Sequence, residues 1–181
     1  MRLLIASDIH GDLQAAQVLI EVMKEKKCDK ILLLGDILYH GPRNNLPEAY
    51  NPKGIIELFN RYSEKIMSVR GNCDTEVDQM VLKFPIMAEY AFLAVDGITI
   101  FATHGHKYNT ETPPPMGERE VLIHGHTHIL TVEKFGSDNI YINPGSISLP
   151  KGGNPKTYMI YENRRFSIYD VDGNVITSVA R

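Results

Sequence analysis

Five short polar segments each come directly after a predicted β-strand, and this arrangement constrains the fold more than any other feature of the sequence. They are Asp8–His10, Gly35–Asp36, Gly71–Asp74, His104–His106 and Gly125–His128. In open α/β sheets, the loops at the carboxyl ends of the strands converge on one crevice over a rigid base. The sequence therefore predicts a sheet that brings Asp, His and Asn side chains together at one edge.

The first half of the chain has the alternating pattern of an α/β fold. Apolar runs at 3–6 and 31–34 are predicted to be buried strands, and the helix between them begins after Asp12, a good N-cap residue. Further predicted elements are helices at 53–62 and 75–83, a strand at 66–69, and a long proline-containing loop at 39–52. This order predicts strands that lie mainly parallel.

The second half of the chain is predicted to be rich in strands. Short apolar or alternating runs follow Pro85 and are separated by Gly, Pro, Asn and Asp. The predicted strands occupy 86–95, 98–103, 121–124, 129–135, 139–143, 157–162, 165–170 and 174–180. Because no repeat or linker divides the chain, we expect one α/β domain over residues 1–181.

The composition of the chain argues against some classes of function. The chain has 19 Lys and Arg against 22 Asp and Glu, a formal charge of −3, so a basic protein that clamps nucleic acid is not expected. Its two cysteines, Cys28 and Cys73, fit a reducing compartment, and we expect the protein in the cytoplasm. The sequence shows neither a signal peptide nor an apolar run long enough to cross a membrane.

Two of the polar segments place ligand-type side chains two residues apart. Because residues i and i+2 of an extended chain point to the same side, Asp8 with His10, and His126 with His128, are each expected to face one small volume. Donors from Asp, His and Asn without thiolates suit divalent ions such as Mn, Fe, Zn or Ni. One ion rarely needs seven ligands, so we expect two ions that share the carboxylate of Asp36.

The order DxH, GD, GN, His and GHxH over residues 8–128 resembles that of the calcineurin-like metallophosphoesterases. A further similarity, to the bacterial YfcE-type phosphodiesterases, covers nearly the whole chain and includes 40–44, 70–80, 143–146 and 151–155. The resemblance implies an α/β fold, a two-sheet mixed β-sandwich flanked by helices in αββα layers. It also implies two ligand sets: Asp8, His10, Asp36 and His128 for one metal, and Asp36, Asn72, His104 and His126 for the other.

The expected chemistry follows from two cations about 3.5 to 4 Å apart, which lower the pKa of a bridging water and bind the oxygens of a phosphate. The hydroxide then attacks phosphorus in line. We therefore expect a metal-dependent phosphodiesterase that acts on small phosphodiesters with two divalent ions, Mn²⁺ being the first choice. No protein nucleophile is required, and the sequence contains neither a GxSxG motif nor a P-loop lysine motif.

Cys73 departs from the common pattern of this superfamily, in which a histidine often follows Gly-Asn and is thought to protonate the leaving group or to hold the phosphate. A thiol with an ordinary pKa of about 8.5 is a poor substitute donor. We therefore expect diesters, or esters with good leaving groups, to be preferred to alkyl monoesters. His106 is the nearest remaining imidazole, and three roles stay open for it: it acts on the phosphate, it supports its neighbours, or it is only a loop residue.

Other polar residues near these segments are not expected to bind metal. His40, Arg43 and Asn44 lie in the long loop and are expected to form a wall that faces the substrate. His124, inside a strand, is expected to pack rather than to bind metal. Asp74 is expected to support a turn or the ligands.

Two other classes of function remain open. A retromer subunit of the same fold serves mainly as a protein-interaction platform, but it lacks several histidine ligands, whereas all seven candidate ligands are present here. A nuclease or phosphomonoesterase with the same metal motifs is the second alternative. Nucleases of this superfamily use basic surfaces and extra domains, and this acidic chain has no basic run. The resemblance also suggests a homo-oligomer.

Overall fold

The computed structural model describes residues 1–181 and contains three α-helices and eleven β-strands. The helices are α1 (Leu13–Glu25), α2 (Pro52–Asn60) and α3 (Glu76–Val81). The strands are β1 (Leu3–Ala6), β2 (Lys30–Leu33), β3 (Ile66–Ser68), β4 (Tyr90–Val95), β5 (Ile98–Thr103), β6 (Val121–Ile123), β7 (Thr131–Phe135), β8 (Asn139–Asn143), β9 (Thr157–Glu162), β10 (Arg165–Asp170) and β11 (Val175–Ala180).

The predicted elements are all present, with one clear shortening. The run predicted at 86–95 forms a strand only from Tyr90 onward. Ile86 is fully buried in the cluster beside the helices, and the carbonyl of Ala88 accepts a hydrogen bond from the Arg70 amide. The chain therefore enters the core before it joins a sheet.

The strands form two mixed sheets. The six-stranded sheet has the order β11-β10-β9-β1-β2-β3, and the five-stranded sheet has the order β4-β5-β6-β8-β7. Within the first sheet β1, β2 and β3 are parallel, and within the second β5, β6 and β8 are parallel. The remaining pairs are antiparallel. Each sheet thus has a parallel trio, and all five polar segments follow strands of these two trios.

Side-chain alternation along β1 shows how the layers pack. Leu4 and Ala6 face the cluster that contains the buried side of α1 and α2, while Leu3 and Ile5 face the cluster shared with the second sheet. The two faces alternate because successive residues of a strand point to opposite sides. Since β1 is covered on both faces, its sequence is continuously apolar.

The expected sandwich of two sheets flanked by helices is confirmed, and the two outer faces are covered differently. Asp12 caps α1 by accepting a hydrogen bond from the Ala15 amide, and α1 and α2 pack on the six-stranded sheet. On the outer face of the five-stranded sheet, Phe101 packs against Tyr108 and Met116 of the loop that follows β5. None of the helices has the length and hydrophobicity that crossing a bilayer requires.

Candidate metal centre

The structure brings the seven predicted ligands together at one end of the sandwich. Those after β1, β2 and β3 come from the first sheet, and those after β5 and β6 come from the second. The seven are Asp8, His10, Asp36, Asn72, His104, His126 and His128. The site therefore lies where the carboxyl ends of two parallel trios meet, as the positions of the polar segments predict.

One half of the site is built around the carboxylate of Asp8, which is fully buried. Its Oδ1 lies 3.3 Å from Nε2 of His128 and 3.6 Å from Nε2 of His10. The two Nε2 atoms are themselves 3.2 Å apart. These three side chains therefore direct their donor atoms at one small volume.

The other half is built around Asp36, whose Oδ2 faces both halves. This oxygen is 3.6 Å from Nε2 of His10 and 3.5 Å from Nε2 of His104. Nε2 of His104 lies 3.0 Å from Oδ1 of Asn72 and 3.2 Å from Nδ1 of His126. Asp36 is therefore placed between the two halves, as expected for a carboxylate that bridges two cations.

Backbone carbonyls fix the orientation of three of the imidazoles. Nδ1 of His10 lies 2.8 Å from the carbonyl of Tyr39, and Nδ1 of His104 lies 2.7 Å from that of Leu34. Nδ1 of His128 lies 2.6 Å from the carbonyl of Leu149. Because a carbonyl only accepts, each Nδ1 carries the proton and each Nε2 directs a lone pair into the site.

A positive charge is needed to balance this arrangement. Oδ1 of Asp8 is buried and has no hydrogen-bond partner. A buried carboxylate that faces inward-directed imidazole nitrogens is the donor set of a divalent cation, so the residues fit metal ions.

Five of the seven predicted ligands have left-handed backbone conformations. Their φ values are 58° at Asp8, 50° at His10, 57° at Asp36, 66° at His126 and 62° at His128. Non-glycine residues adopt this conformation uncommonly and at a cost, and they persist there only when the surrounding structure holds them. The sharp backbone turns direct the side chains back over the strand ends.

The glycine before each of two ligand segments allows close contact between backbones. A Cβ added at Gly71 would overlap Oδ1 and the amide of Asp36. A Cβ added at Gly125 would overlap Oγ of Ser7 and lie 2.5 Å from Oδ2 of Asp8. These glycines of the GN and GHxH segments are therefore needed to let the ligand loops of different strands touch.

Asp74 holds the loop that carries Asp36. Its carboxylate accepts hydrogen bonds from the amides of Asp36 at 2.8 Å, Ile37 at 2.9 Å and Gly71 at 2.7 Å. Asp74 is buried, and these hydrogen bonds come from backbone amides rather than from the side chains of the predicted ligands. The expectation that it supports the ligands is in agreement with these contacts.

Hydrogen bonds from two serines and from the His126 amide fix Asp8 in place. Ser7 donates from Oγ to Oδ2 of Asp8 at 2.6 Å, and the His126 amide donates to the same oxygen at 3.0 Å. Ser146, after β8, donates from Oγ to the backbone carbonyl of Asp8 at 2.8 Å. Serines are too common for sequence alone to indicate these roles.

An open polar cleft of about 280 Å³ lies over the ligands. Arg43 and Asn44 line it, as expected for the long loop, and Lys151 is an additional basic residue in its wall. His40 is not part of the wall, because its ring packs edge-on against Tyr39 and Tyr50. The expectation that His40 faces the substrate is therefore wrong in this structure.

The two remaining imidazoles near the site have different surroundings. His124 is buried and stacks on Tyr141 at 4.3 Å between ring centroids, so it packs as expected. The His106 ring lies 5.4 Å from that of His104 and 6.2 Å from that of His126. Burial, with help from these two imidazoles, lowers the pKa of His106 to about 4.

Cys73 lies at the edge of the polar cleft. Its amide donates a hydrogen bond to Oδ1 of Asp36 at 2.8 Å, which adds to the contacts that hold this carboxylate. Burial, followed by the charge of Asp36, raises the pKa of the Cys73 thiol. The side chain therefore stays a neutral thiol, in keeping with its interpretation as a poor proton donor.

The chain resembles known proteins over nearly its whole length. Residues 1–165 match the model of the calcineurin-like phosphoesterase superfamily domain. Phosphodiesterase YfcE of Escherichia coli (strain K12) is 42% identical over 181 residues, which span 99% of this chain and 98% of that protein.

Solved structures extend the comparison. The structure of the YfcE phosphoesterase from E. coli matches with a TM-score of 0.96 and 42% identity, and 99% of each chain is covered. Wild-type Vps29 of Entamoeba histolytica, complexed with Zn²⁺, matches with a TM-score of 0.55 and 21% identity over 99% of each chain. The second likeness shows a shared fold alone.

Proposed function

The chain belongs to the calcineurin-like phosphoesterase superfamily and is a phosphodiesterase, and from this premise we propose that it hydrolyses small phosphodiesters with two divalent metal ions. The observation that supports the metal requirement best is the buried Asp8 carboxylate, whose Oδ1 has no hydrogen-bond partner and lies 3.3 Å from Nε2 of His128. Such a group needs a cation to offset its desolvation.

The proposed ligands fall into two sets that share Asp36: Asp8, His10, Asp36 and His128 for one ion, and Asp36, Asn72, His104 and His126 for the other. When bound, two such ions supply Lewis-acid chemistry, since they make hydroxide available near neutral pH and offset the charge of the phosphate. Mn²⁺ is the proposed ion, with Fe, Zn and Ni as alternatives of the same ligand preference. Arg43 and Lys151, in the cleft wall, bind and orient the anionic phosphate.

His106 is proposed to contact the substrate phosphate as a hydrogen-bonding group beside the second set. It is tested with His106→Asn, for which we expect lower kcat/KM for an aryl phosphodiester and unchanged Mn²⁺ affinity. Lower Mn²⁺ affinity would instead place His106 among the residues that support the ligands.

The central test measures hydrolysis of bis(4-nitrophenyl) phosphate by metal-free protein before and after Mn²⁺ is added. We expect activity only with the metal, and its loss in Asp36→Ala and His126→Ala. Glu21→Ala, which removes an exposed carboxylate of α1, is the control and should keep full activity. Hydrolysis without metal, or in the two ligand variants, would contradict the proposed site. Metal analysis of untreated protein identifies the native ion.

The preference for diesters rests on Cys73, a neutral thiol at the position where many superfamily members carry histidine. Faster turnover of an alkyl phosphate monoester than of an aryl diester would contradict this preference. Hydrolysis of single-stranded DNA in the same assay would indicate the alternative nuclease. Absence of turnover with every substrate would indicate the alternative interaction scaffold.

We also propose that the protein forms a homo-oligomer and that it is located in the cytoplasm. Tyr90 and Phe92, on the edge strand β4, leave 50% and 58% of their surfaces exposed, and adjacent exposed aromatics favour an interface. Both cysteines are free, which suits a reducing compartment. Light scattering of the purified protein tests the first point, and a monomer at micromolar concentration would contradict it.

A further inference from the structure

A second cleft, which is mostly apolar, adjoins the polar cleft of the metal centre. It has a volume of about 370 Å³ and seven of its ten lining residues are hydrophobic. Leu38, Tyr39 and Tyr50 form one side, and Val77 and Val81 of α3 contribute to the other. The polar cleft, by contrast, has one hydrophobic residue among the twelve that line it.

Cys73 belongs to the walls of both clefts, so the two adjoin at this side chain. Cys73 follows Asn72, one of the proposed metal ligands, and its amide donates a hydrogen bond to Asp36. Tyr39 is tied to the site as well, because its carbonyl accepts the Nδ1 proton of His10. A molecule whose phosphate lies over the ligands is therefore within reach of the apolar cleft.

The carboxylate and the threonine hydroxyl that line the apolar cleft are already hydrogen-bonded to each other. The carboxylate of Asp78 accepts hydrogen bonds from the amide and the hydroxyl of Thr75, at 2.8 and 2.9 Å, in the capping box of α3. The negative charge of Asp78 disfavours a second anionic group there. The occupant that suits these walls is therefore uncharged and apolar.

Several apolar residues around this cleft are exposed to solvent. Val77 leaves 68% of its surface in contact with solvent, Tyr39 leaves 43% and Val81 leaves 42%. Large apolar side chains clustered beside a reactive polar pocket are the usual composition of a ligand site. A single exposed valine has no such meaning, but here two exposed valines and an exposed tyrosine line one concave surface.

We propose that the apolar cleft binds an uncharged aryl or similarly apolar substituent of the phosphodiester, while the phosphate lies over the metal centre. This assignment rests on the proposed function and specifies its substrate class. The cleft selects esters with a bulky apolar group and gives no advantage to small alkyl groups. Contact of a ring with these walls is expected to improve affinity by about 10-fold.

The test uses two non-hydrolysable ligands with one substituent each, phenylphosphonate and methylphosphonate, on the Mn²⁺-loaded protein. Their dissociation constants are measured by calorimetry for the wild type, Val77→Asp and Met80→Asp. Met80 is the matched control, because it lies on the same helix, is 83% exposed and does not line the cleft. Circular dichroism checks that both variants keep the fold.

We expect phenylphosphonate to bind about 10-fold more tightly than methylphosphonate to the wild type and to Met80→Asp, and the two to bind within 2-fold of each other in Val77→Asp. A preference for the phenyl ligand that survives Val77→Asp would overturn the assignment, and so would its absence in the wild type while methylphosphonate still binds. If neither phosphonate binds and no diester is hydrolysed, the proposed function itself fails. An oligomer that dissociates in Val77→Asp with an unchanged ligand preference would identify the cleft as an interface between copies of the chain.

Discussion

Replacing Asp74 with asparagine tests whether the site depends on a residue that binds no metal. Asp74→Asn keeps the shape of the side chain but leaves one acceptor oxygen for three buried amides. Oδ2 accepts from Asp36 and Gly71, and Oδ1 accepts from Ile37. If the amide oxygen keeps the first two bonds, the N–H of Ile37 faces an NH₂ group and loses its partner.

The magnitude follows from these contacts. A buried donor without a partner costs about 1 to 3 kcal/mol, and loss of charge at two remaining bonds costs about 1 kcal/mol each. Burial is the largest influence on Asp74 and raises its pKa, so removing the charge returns part of its desolvation cost. We expect the free energy of unfolding to fall by about 3 kcal/mol.

The assay separates stability from metal binding. Urea unfolding in the presence of a chelator, followed by far-ultraviolet circular dichroism because the chain has no tryptophan, gives the free energy of unfolding. Calorimetry then gives the Mn²⁺ affinity, which we expect to fall by about 10- to 100-fold because Asp36 loses the support of its strained backbone.

Asp78→Asn is the control for this experiment. Asp78 also accepts hydrogen bonds through its carboxylate, but at the start of the short helix α3 and with no contact to Asp36. It should change stability by at most about 1 kcal/mol and leave Mn²⁺ affinity intact. The reasoning is refuted if Asp74→Asn loses less than about 1 kcal/mol and binds Mn²⁺ like the wild type.

Three further predictions follow from the site and the core. Mn²⁺ at 100 times its dissociation constant should raise Tm by about 5 to 10 °C, and chelator should reverse the rise; an unchanged Tm in a thermal melt would contradict specific binding. Gly125→Ala should abolish measurable Mn²⁺ binding in calorimetry, because its Cβ would overlap Ser7, whereas Gly117→Ala, with its nearest atom at 3.4 Å, should bind normally. Burial raises the pKa of Cys28 to about 11, so iodoacetamide at pH 8 should alkylate it about 100-fold more slowly in the folded protein than in urea, and equal rates in a mass-spectrometric time course would contradict its burial.

Local sequence patterns predicted the elements well, and they identified the residues that converge at one end of the sandwich, because both depend on short-range signals. The apolar run of β1 ends at Ser7-Asp8, and the N-cap Asp12 begins α1 where expected. The ligand segments stood out because each combines a strand end with metal-binding residue types. These features are encoded within a few residues of where they appear.

The pairing of distant strands was not accessible in the same way. Thr157–Glu162 joins the first sheet as β9, antiparallel to β1, although most of the chain lies between them. Periodicity reports which face of a strand is buried but not which strand lies beside it. The position of His40 was missed for a related reason, since its contacts with Tyr39 and Tyr50 depend on how a loop folds back.

The place of β9 beside β1 has a consequence for how the protein is made. The last proposed ligand, His128, leaves the ribosome before the two residues that fix the site from behind, Ser146 and the carbonyl of Leu149. Until β9 is synthesised, β1 has an unpaired edge and the nascent six-stranded sheet is incomplete. We therefore expect uptake of the proposed ions to be a late event of biogenesis, and a ribosome-bound chain that stops before residue 157 should not retain them.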